Sequence, residues 1–334
     1  MTLRFALLGA GRIGKVHARA VGSNPQAKLV AVADAFEKAA SELATAYGAE
    51  VRTIDAIEKS GDIDAVVICT PTDTHADLIE RFARAGKAIF CEKPIDLDVK
   101  RVEQCLAVVE KAKATLMVGF NRRFDPHFAA VRKAIDDGAI GAVEMVTITS
   151  RDPGAPPIDY IARSGGIFRD MTIHDFDMAR FLLGEEPVAV SAHASVLVDK
   201  KIGEAGDFDS VSVILETASG KQAVISNSRR ATYGYDQRIE VHGSKGMVAA
   251  ENQRPVSIEL ANEKGYTRPP LHDFFMTRYL DAYAIEIASF IAAATSGKKA
   301  APSGTDGLIA LRLADAALKS ATSGQTVRLD KITT

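Results

Sequence analysis

Short apolar runs alternate with amphipathic stretches over the first 120 residues. Residues 3–8, 28–34, 64–70, 87–91 and 116–119 read as buried strands, being short, apolar and rich in β-branched side chains. Between them, residues 12–23, 37–47, 75–85 and 99–112 read as helices; Leu78, Ile79 and Phe82 share one face of the third. Strands alternating with helices of this length predict parallel βαβ units. The pattern changes after Phe124. Residues 126–137 read as a helix with Phe128, Val131 and Ile135 on its apolar face. Strands then dominate, at 143–150, 188–198, 210–216, 222–228 and 238–242. Val213 to Leu215, a turn at Gly220, and Ala223 to Ile225 read as a hairpin. One helix over about 166–183 interrupts the strands and ends at Gly184. Helices over about 282–294 and 305–322 close the chain, with Gly297 and Gly324 after them. The predicted fold is α/β. A parallel α/β domain spans residues 1–122. An α+β domain with a large, mostly antiparallel sheet spans 123–334, and the last helix suits either domain.

Composition narrows the function. At 334 residues the chain is long enough for two buried cores. Its 41 basic and 43 acidic residues leave a net charge of −2, which removes a broad basic footprint for nucleic acid. No run approaches the ~20 apolar residues of a membrane span. The apolar stretch at 5–11 is followed by Arg12 and Lys15 with no small-residue cleavage site, so no secretory signal is expected. Cys69, Cys91 and Cys105 are odd in number and form no C-x-x-C pair. Neither a disulfide framework nor a thiolate zinc site is expected, and the chain reads as cytoplasmic.

Gly9-Ala10-Gly11-Arg12-Ile13-Gly14 is G-x-G-x-x-G between a strand and a helix. Gly9 allows the tight turn, Gly11 the approach of a pyrophosphate, and Gly14 close packing of helix on strand. The helix N-terminus presents free N–H groups to phosphate. Asp34 follows 20 residues after Gly14, at the end of the second strand. A carboxylate there accepts from ribose hydroxyls and repels a 2′-phosphate. No Arg follows it closely, which favours NAD over NADP. The competing role for Asp34 is a plain turn acid. Thr70, Pro71, Thr72 and His75 lie where the next strand enters a helix and are positioned to line a cofactor; Thr74 serves equally as a simple N-cap.

Glu92-Lys93-Pro94 leaves the following strand in the same way. Asp170 and His174, if on one helix, share a face, so the carboxylate can orient the imidazole and raise its basicity. The alternative is an ordinary solvated i,i+4 pair. Asp170, His174 and Asp175 are also metal-ligand types, but no nearby Cys or second His completes a zinc set, so no metal is expected.

These motifs, with His17 after the glycine turn and the segment at 169–180, resemble the glucose–fructose oxidoreductase / inositol dehydrogenase / rhizopine-catabolism (Gfo/Idh/MocA) family, and within it the inositol-oxidising members. The likeness spans both domains. It implies a Rossmann domain, an open-faced sheet domain and a homotetramer joined through those sheets. It implies NAD-dependent oxidation of myo-inositol, at the axial C2 hydroxyl, to a keto-inositol. Lys93, Asp170 and His174 correspond to the family's catalytic triad. His174 would take the hydroxyl proton, Lys93 would steady the developing alkoxide, and Asp170 would orient the site. The cofactor-facing set becomes Gly9, Gly11, Arg12, Ile13, Gly14, Asp34, Thr70, Pro71, Thr72, His75, Glu92, Lys93 and Asn121. Arg123, Asp152, Tyr233, Tyr235 and Tyr279 are candidates for substrate contact, Tyr283 is a further candidate for the pocket wall, and the loop at 152–158 is a candidate specificity element. Two other readings stay open. One is a sibling oxidoreductase acting on a sugar, an amino sugar or scyllo-inositol. The other is a non-catalytic NAD-binding sensor, which need not keep Lys93, Asp170 and His174 together.

Overall fold

The computed structural model describes residues 2–329. The chain divides into two compact units, one comprising residues up to Asp125 with Leu280–Leu311, the other Pro126–Tyr279 with the chain from Arg312 onward.

The first unit opens with β1 (Leu3–Leu8), α1 (Arg12–Gly22), β2 (Ala27–Ala33), α2 (Glu37–Tyr47), β3 (Glu50–Val51) and α3 (Ile54–Lys59). It continues with β4 (Ala65–Ile68), α4 (His75–Arg84), β5 (Ala88–Cys91), α5 (Val99–Ala112) and β6 (Leu116–Val118). Single 3₁₀ turns sit at Thr72–Thr74 and Asn121–Phe124. All strand pairs are parallel and the sheet order is β3-β2-β1-β4-β5-β6. This is the doubly wound order, whose ligands bind outside the carboxyl ends of the strands. Phe5, Leu7, Val66, Val67, Ile89 and Phe90 are fully buried, because helices cover both faces of a parallel sheet.

The second unit holds α6 (Pro126–Asp136), β7 (Val143–Arg151), α7 (Ile158–Ser164), α8 (Gly166–Asp170), α9 (Ile173–Leu183) and β8 (Pro187–Ser195). Then come α10 (Lys200–Glu204), β9 (Ser210–Thr217), β10 (Gln222–Ser228), β11 (Asp236–Gly243), β12 (Gly246–Ala250) and the small hairpin β13 (Leu260–Asn262) and β14 (Gly265–Thr267). After α11 (Phe275–Arg278), helix α12 (Leu280–Ser296) returns to the first unit. The last helix, α13 (Gly304–Ser323), begins in the first unit and ends in the second, and β15 (Val327–Arg328) follows it. The seven-stranded sheet runs β12-β11-β7-β10-β9-β8-β15. It is mostly antiparallel, as its sequence pattern predicts, but β7 and β10 pair in parallel. Helix α9 packs on β7 and β10. On the strands β9 and β11 buried and exposed residues alternate, as in a sheet with one open face.

Two expectations need correction. A single cut at 122/123 does not describe the chain, because α12 packs against α1 and because Val118 N–H bonds the Pro302 carbonyl at 3.0 Å. The single helix expected over 166–183 is two helices. Both Met171 and Thr172 N–H groups bond the Ile167 carbonyl at 2.9 Å, which inserts an extra residue into the turn. Buried Thr172 donates its hydroxyl to Asn227 Oδ1 at 2.7 Å, and that contact fixes the break. Asp170 therefore closes α8 while His174 stands in the first turn of α9, so the two do not lie on one continuous helix.

Candidate functional site

The carboxyl ends of β1, β2, β4, β5 and β6 gather most of the residues singled out for the cofactor. At the β1–α1 turn Gly9 has φ +96°, and a Cβ there or on Gly14 would collide with backbone carbonyls, of Cys69 and Gly9 respectively. Gly11 differs: a Cβ on it would meet no atom within 4 Å. It is the N-cap of α1, whose first turn has no side-chain cap and no acidic residue. The helix thus turns open N–H groups toward free space, the arrangement that receives a phosphate. Arg12 is exposed beside it and Ile13 is half-buried.

Asp34 closes the next strand. Its Oδ2 accepts from Ala10 N–H at 2.5 Å and its Oδ1 from Phe36 N–H at 2.8 Å. The carboxylate is thus tied to the glycine turn, and each oxygen keeps a lone pair for a ribose hydroxyl. After β4, the Thr70 and Thr74 hydroxyls bond each other at 2.6 Å and Thr74 also donates to the Pro71 carbonyl. Thr74 is the N-cap of α4 but makes no side-chain cap bond, while Pro71 is exposed and Thr72 half-buried.

His75 is not on the surface of this site. It is 2% exposed, with Nδ1 2.8 Å from the Pro94 carbonyl and Nε2 2.7 Å from the Thr70 carbonyl. Its ring braces the β4 loop against the loop carrying Lys93, rather than lining a ligand. Burial pushes its pKa down, against the opposing effect of the two carbonyls.

Glu92 is also buried. Its Oε1 lies 2.6 Å from Nε2 of fully buried His17, and Lys93 N–H donates to its Oε2 at 3.3 Å. The His17 ring packs on Phe90 and Tyr283, and its Nδ1 has no hydrogen-bond partner among the described residues. Lys93, half-buried, follows at the strand end. After β6, Asn121 is 3% exposed and its Nδ2 likewise has no partner among the described residues. An orphaned buried amide at a strand end suits a hydrogen-bonding ligand. Open space at Gly11, uncapped N–H groups, Asp34 and Asn121 together fit a dinucleotide.

Arg123 is engaged elsewhere in the first unit: its guanidinium donates to Asp306 Oδ1 at 2.9 Å. Asp306 and Ser303 cap α13 reciprocally, with Ser303 N–H donating to Asp306 Oδ2 at 2.7 Å and Asp306 N–H reaching Ser303 Oγ at 3.3 Å. Arg123 thus clamps the end of the parallel sheet to the last helix.

In the second unit, Asp170 Oδ1 accepts the Tyr160 hydroxyl at 2.8 Å, and Arg229 Nη1 lies 3.5 Å from its Oδ2. His174 stands in the first turn of α9, which is pinned to the sheet by fully buried Asp175. That carboxylate takes the Ser150 hydroxyl at 2.6 Å and the Asn227 amide at 2.8 Å. Asp152 follows β7 and its N–H bonds the Ser228 carbonyl at 2.9 Å. The expected specificity loop at 152–158 runs into α7, which begins at Ile158 and for which sequence reading assigned no helix. Tyr233 is half exposed; its hydroxyl donates to Asp236 at 2.6 Å and accepts from Arg151 at 3.1 Å. Burial and the Asp236 bond push its pKa up. Tyr235 and Tyr279 are buried together with ring centroids 6.0 Å apart, and Tyr279 donates to Gln237 Oε1 at 3.3 Å. No group of three potential metal ligands occurs among the described residues.

Sequence reading missed Tyr160, Asp207 and Arg229 around Asp170, and Asp306 beside Arg123. Arg229 left a signal: Ala223, Ile225 and Asn227 point inward along β10, and the same alternation carried forward puts 229 inside. The Arg123–Asp306 pair, 183 residues apart, left none.

Residues 3–120 match the model of an oxidoreductase family with an NAD-binding Rossmann fold, and residues 128–249 match the Gfo/Idh/MocA C-terminal domain. An inositol 2-dehydrogenase from Rhizobium meliloti is 80% identical over 320 residues, covering 96% of this chain and 97% of that protein. A myo-inositol dehydrogenase structure from Corynebacterium glutamicum superposes with TM-score 0.96 at 46% identity, covering 99% of this chain and all of that one. A scyllo-inositol dehydrogenase from Lactobacillus casei, with NAD(H) and scyllo-inositol bound, gives TM-score 0.92 at 28% identity over 98% of this chain and 99% of its own. Matched in both its units and along nearly its whole length, the chain belongs to the Gfo/Idh/MocA family of NAD-binding oxidoreductases.

Proposed function

We propose that the protein is an inositol 2-dehydrogenase, oxidising the C2 hydroxyl of myo-inositol to a ketone with NAD⁺. The observation that carries this is 80% identity, over almost all of both chains, with an inositol 2-dehydrogenase. A nucleotide-binding turn and a strand-end acid that fit NAD support it. NAD⁺, when bound, supplies the acceptor for the hydride that leaves C2. The open N–H groups at Gly11 and Gly14, with Arg12 and Ile13, receive the pyrophosphate, and Asp34 takes the adenosine ribose. Thr70, Pro71, Thr72, Glu92 and Asn121 complete the cofactor surface, while His75 holds its loops in place.

His174 takes the hydroxyl proton as the C–H bond breaks, a step of general-base type that contributes roughly 10²–10⁴-fold. Lys93 donates to the oxygen as negative charge develops there. Asp170 orients the base and offsets the positive charge on it. Overall the substrate loses one C–H and one O–H bond and gains a carbonyl; the hydride would go to NAD⁺ when it is bound, and the proton to solvent by way of His174. Arg123, Asp152, Tyr233, Tyr235 and Tyr279 remain the proposed sources of polar contact to the ring hydroxyls.

The proposal extends to a cytoplasmic homotetramer. Its three thiols are free and buried, and burial pushes Cys105 up to about 12, which suits a reducing compartment. The open face of the large sheet carries Met145, Ile214 and Met247, each 44–51% exposed, and such a surface suits contact with further copies. The first test is an NADH-absorbance screen of myo-, scyllo- and D-chiro-inositol and D-glucose with NAD⁺ and NADP⁺. Myo-inositol with NAD⁺ should be the efficient pair. Efficient turnover of another substrate without oxidation of myo-inositol overturns the assignment.

A further inference from the structure

We propose that Arg229 is a positioning residue of the reaction, holding the Asp170 carboxylate through a chain, Asp170–Arg229–Asp207, that is centred on a buried guanidinium and fastens both ends of α8. This rests on the reading of Asp170 as part of the reaction machinery.

Arg229 is 1% exposed and follows directly on β10. Its Nη1 lies 3.5 Å from Asp170 Oδ2 and its Nη2 3.4 Å from Asp207 Oδ2. The second carboxylate holds the start of α8: Asp207 Oδ1 accepts Ile167 N–H at 2.9 Å. That approach depends on Gly166, at φ +81°, since a Cβ there would lie 2.6 Å from the same oxygen. Asp170, at the other end of α8, is taken on its second oxygen by the Tyr160 hydroxyl. Both carboxylate oxygens are therefore held from within the second unit. Burying a guanidinium between two partly buried carboxylates is a poor route to stability, because well-packed apolar groups of similar volume do as well. Fixing the direction of a carboxylate four residues before His174 is a use that apolar groups cannot supply.

The test is steady-state kinetics of the full chain with the best substrate of the screen, for Arg229→Met, Arg229→Lys, Tyr160→Phe, Asp170→Asn and the doubles with Asp170→Asn. NADH fluorescence titration reports whether each variant is folded. Arg229→Met should lower kcat by about 30-fold or more with NADH affinity unchanged, and Arg229→Lys should restore most of it. In the Asp170→Asn background Arg229→Met should add less than about 3-fold, because its effect passes through Asp170. If Arg229→Met does not fold, Arg229→Lys and Tyr160→Phe carry the test. Each should lower kcat about 3-fold or more, and neither should do so once Asp170 is Asn. Wild-type kcat in the Arg229 variants, or an undiminished effect in the Asp170→Asn background, overturns the proposal alone. Wild-type turnover by Asp170→Asn overturns the reading of Asp170 and the proposal with it.

Discussion

Lys93 ends a buried strand beside a carboxylate that is itself held by a buried imidazole, so its backbone is fixed at Glu92. Its proposed work is confined to the transition state, where oxygen becomes negative. Lys93→Ala should therefore cut turnover by about 100-fold or more while NADH binding survives; His174→Ala should do the same, and Asp170→Asn less. Turnover within a few-fold of wild type would remove the substituted residue from the reaction. A different carboxylate governs stability. Burial raises the pKa of fully buried Asp209, but N–H bonds from Leu197, Val198 and Asp199 and the Ser210 hydroxyl outweigh it, and the net shift is downward. A depressed native pKa contributes stability above the ordinary aspartate value near about pH 4 and loses it as pH falls through the native value. Asp209→Asn should cost roughly 2 kcal/mol or more at pH 7. In urea titrations the gap to wild type should narrow below about pH 4; a gap independent of pH would show that the charge is not what matters.

Among the elements, the β1–α1 turn is the most exacting, since helix and strand approach at Gly14 with no room for a methyl group against Gly9. Gly14→Ala should weaken NADH binding at least about tenfold in a fluorescence titration, and unchanged affinity would contradict the packing argument. The parallel strands were legible because burial on both faces writes them as continuous apolar runs, and helices 37–47 and 99–112 match the structure residue for residue. The break after Asp170 was not legible. It depends on Thr172 meeting Asn227, 55 residues later, and no local pattern records that pairing. His75 misled for a similar reason: its strand-end position suggested a ligand, but its two partners are carbonyls of loops that only the fold brings together. Glycines and strand-end acids announce a cofactor locally, whereas Tyr160 and Arg229, which hold Asp170, lie on two separate segments.

At the scale of the molecule, the chain crosses between its units three times, after Asp125, Tyr279 and Leu311. No helix among the described residues is long and apolar enough to cross a membrane. Across the open sheet face, Ile214 stands in register with Val224, which pairs with Thr147 and through it Glu240. If copies of the chain meet there, Ile214→Lys should shift sedimentation equilibrium toward smaller species with NADH binding intact; a wild-type protein that sediments as a monomer would remove the tetramer. The central claim is hydride transfer from C2 of myo-inositol to NAD⁺. Myo-inositol deuterated at C2 tests it most directly, by mass spectrometry of the reduced cofactor and by the rate of its formation. The account predicts one deuterium carried into NADH and single-turnover hydride transfer slower than with the protiated substrate. Reduced cofactor without deuterium, or no oxidation of myo-inositol at all, would contradict it.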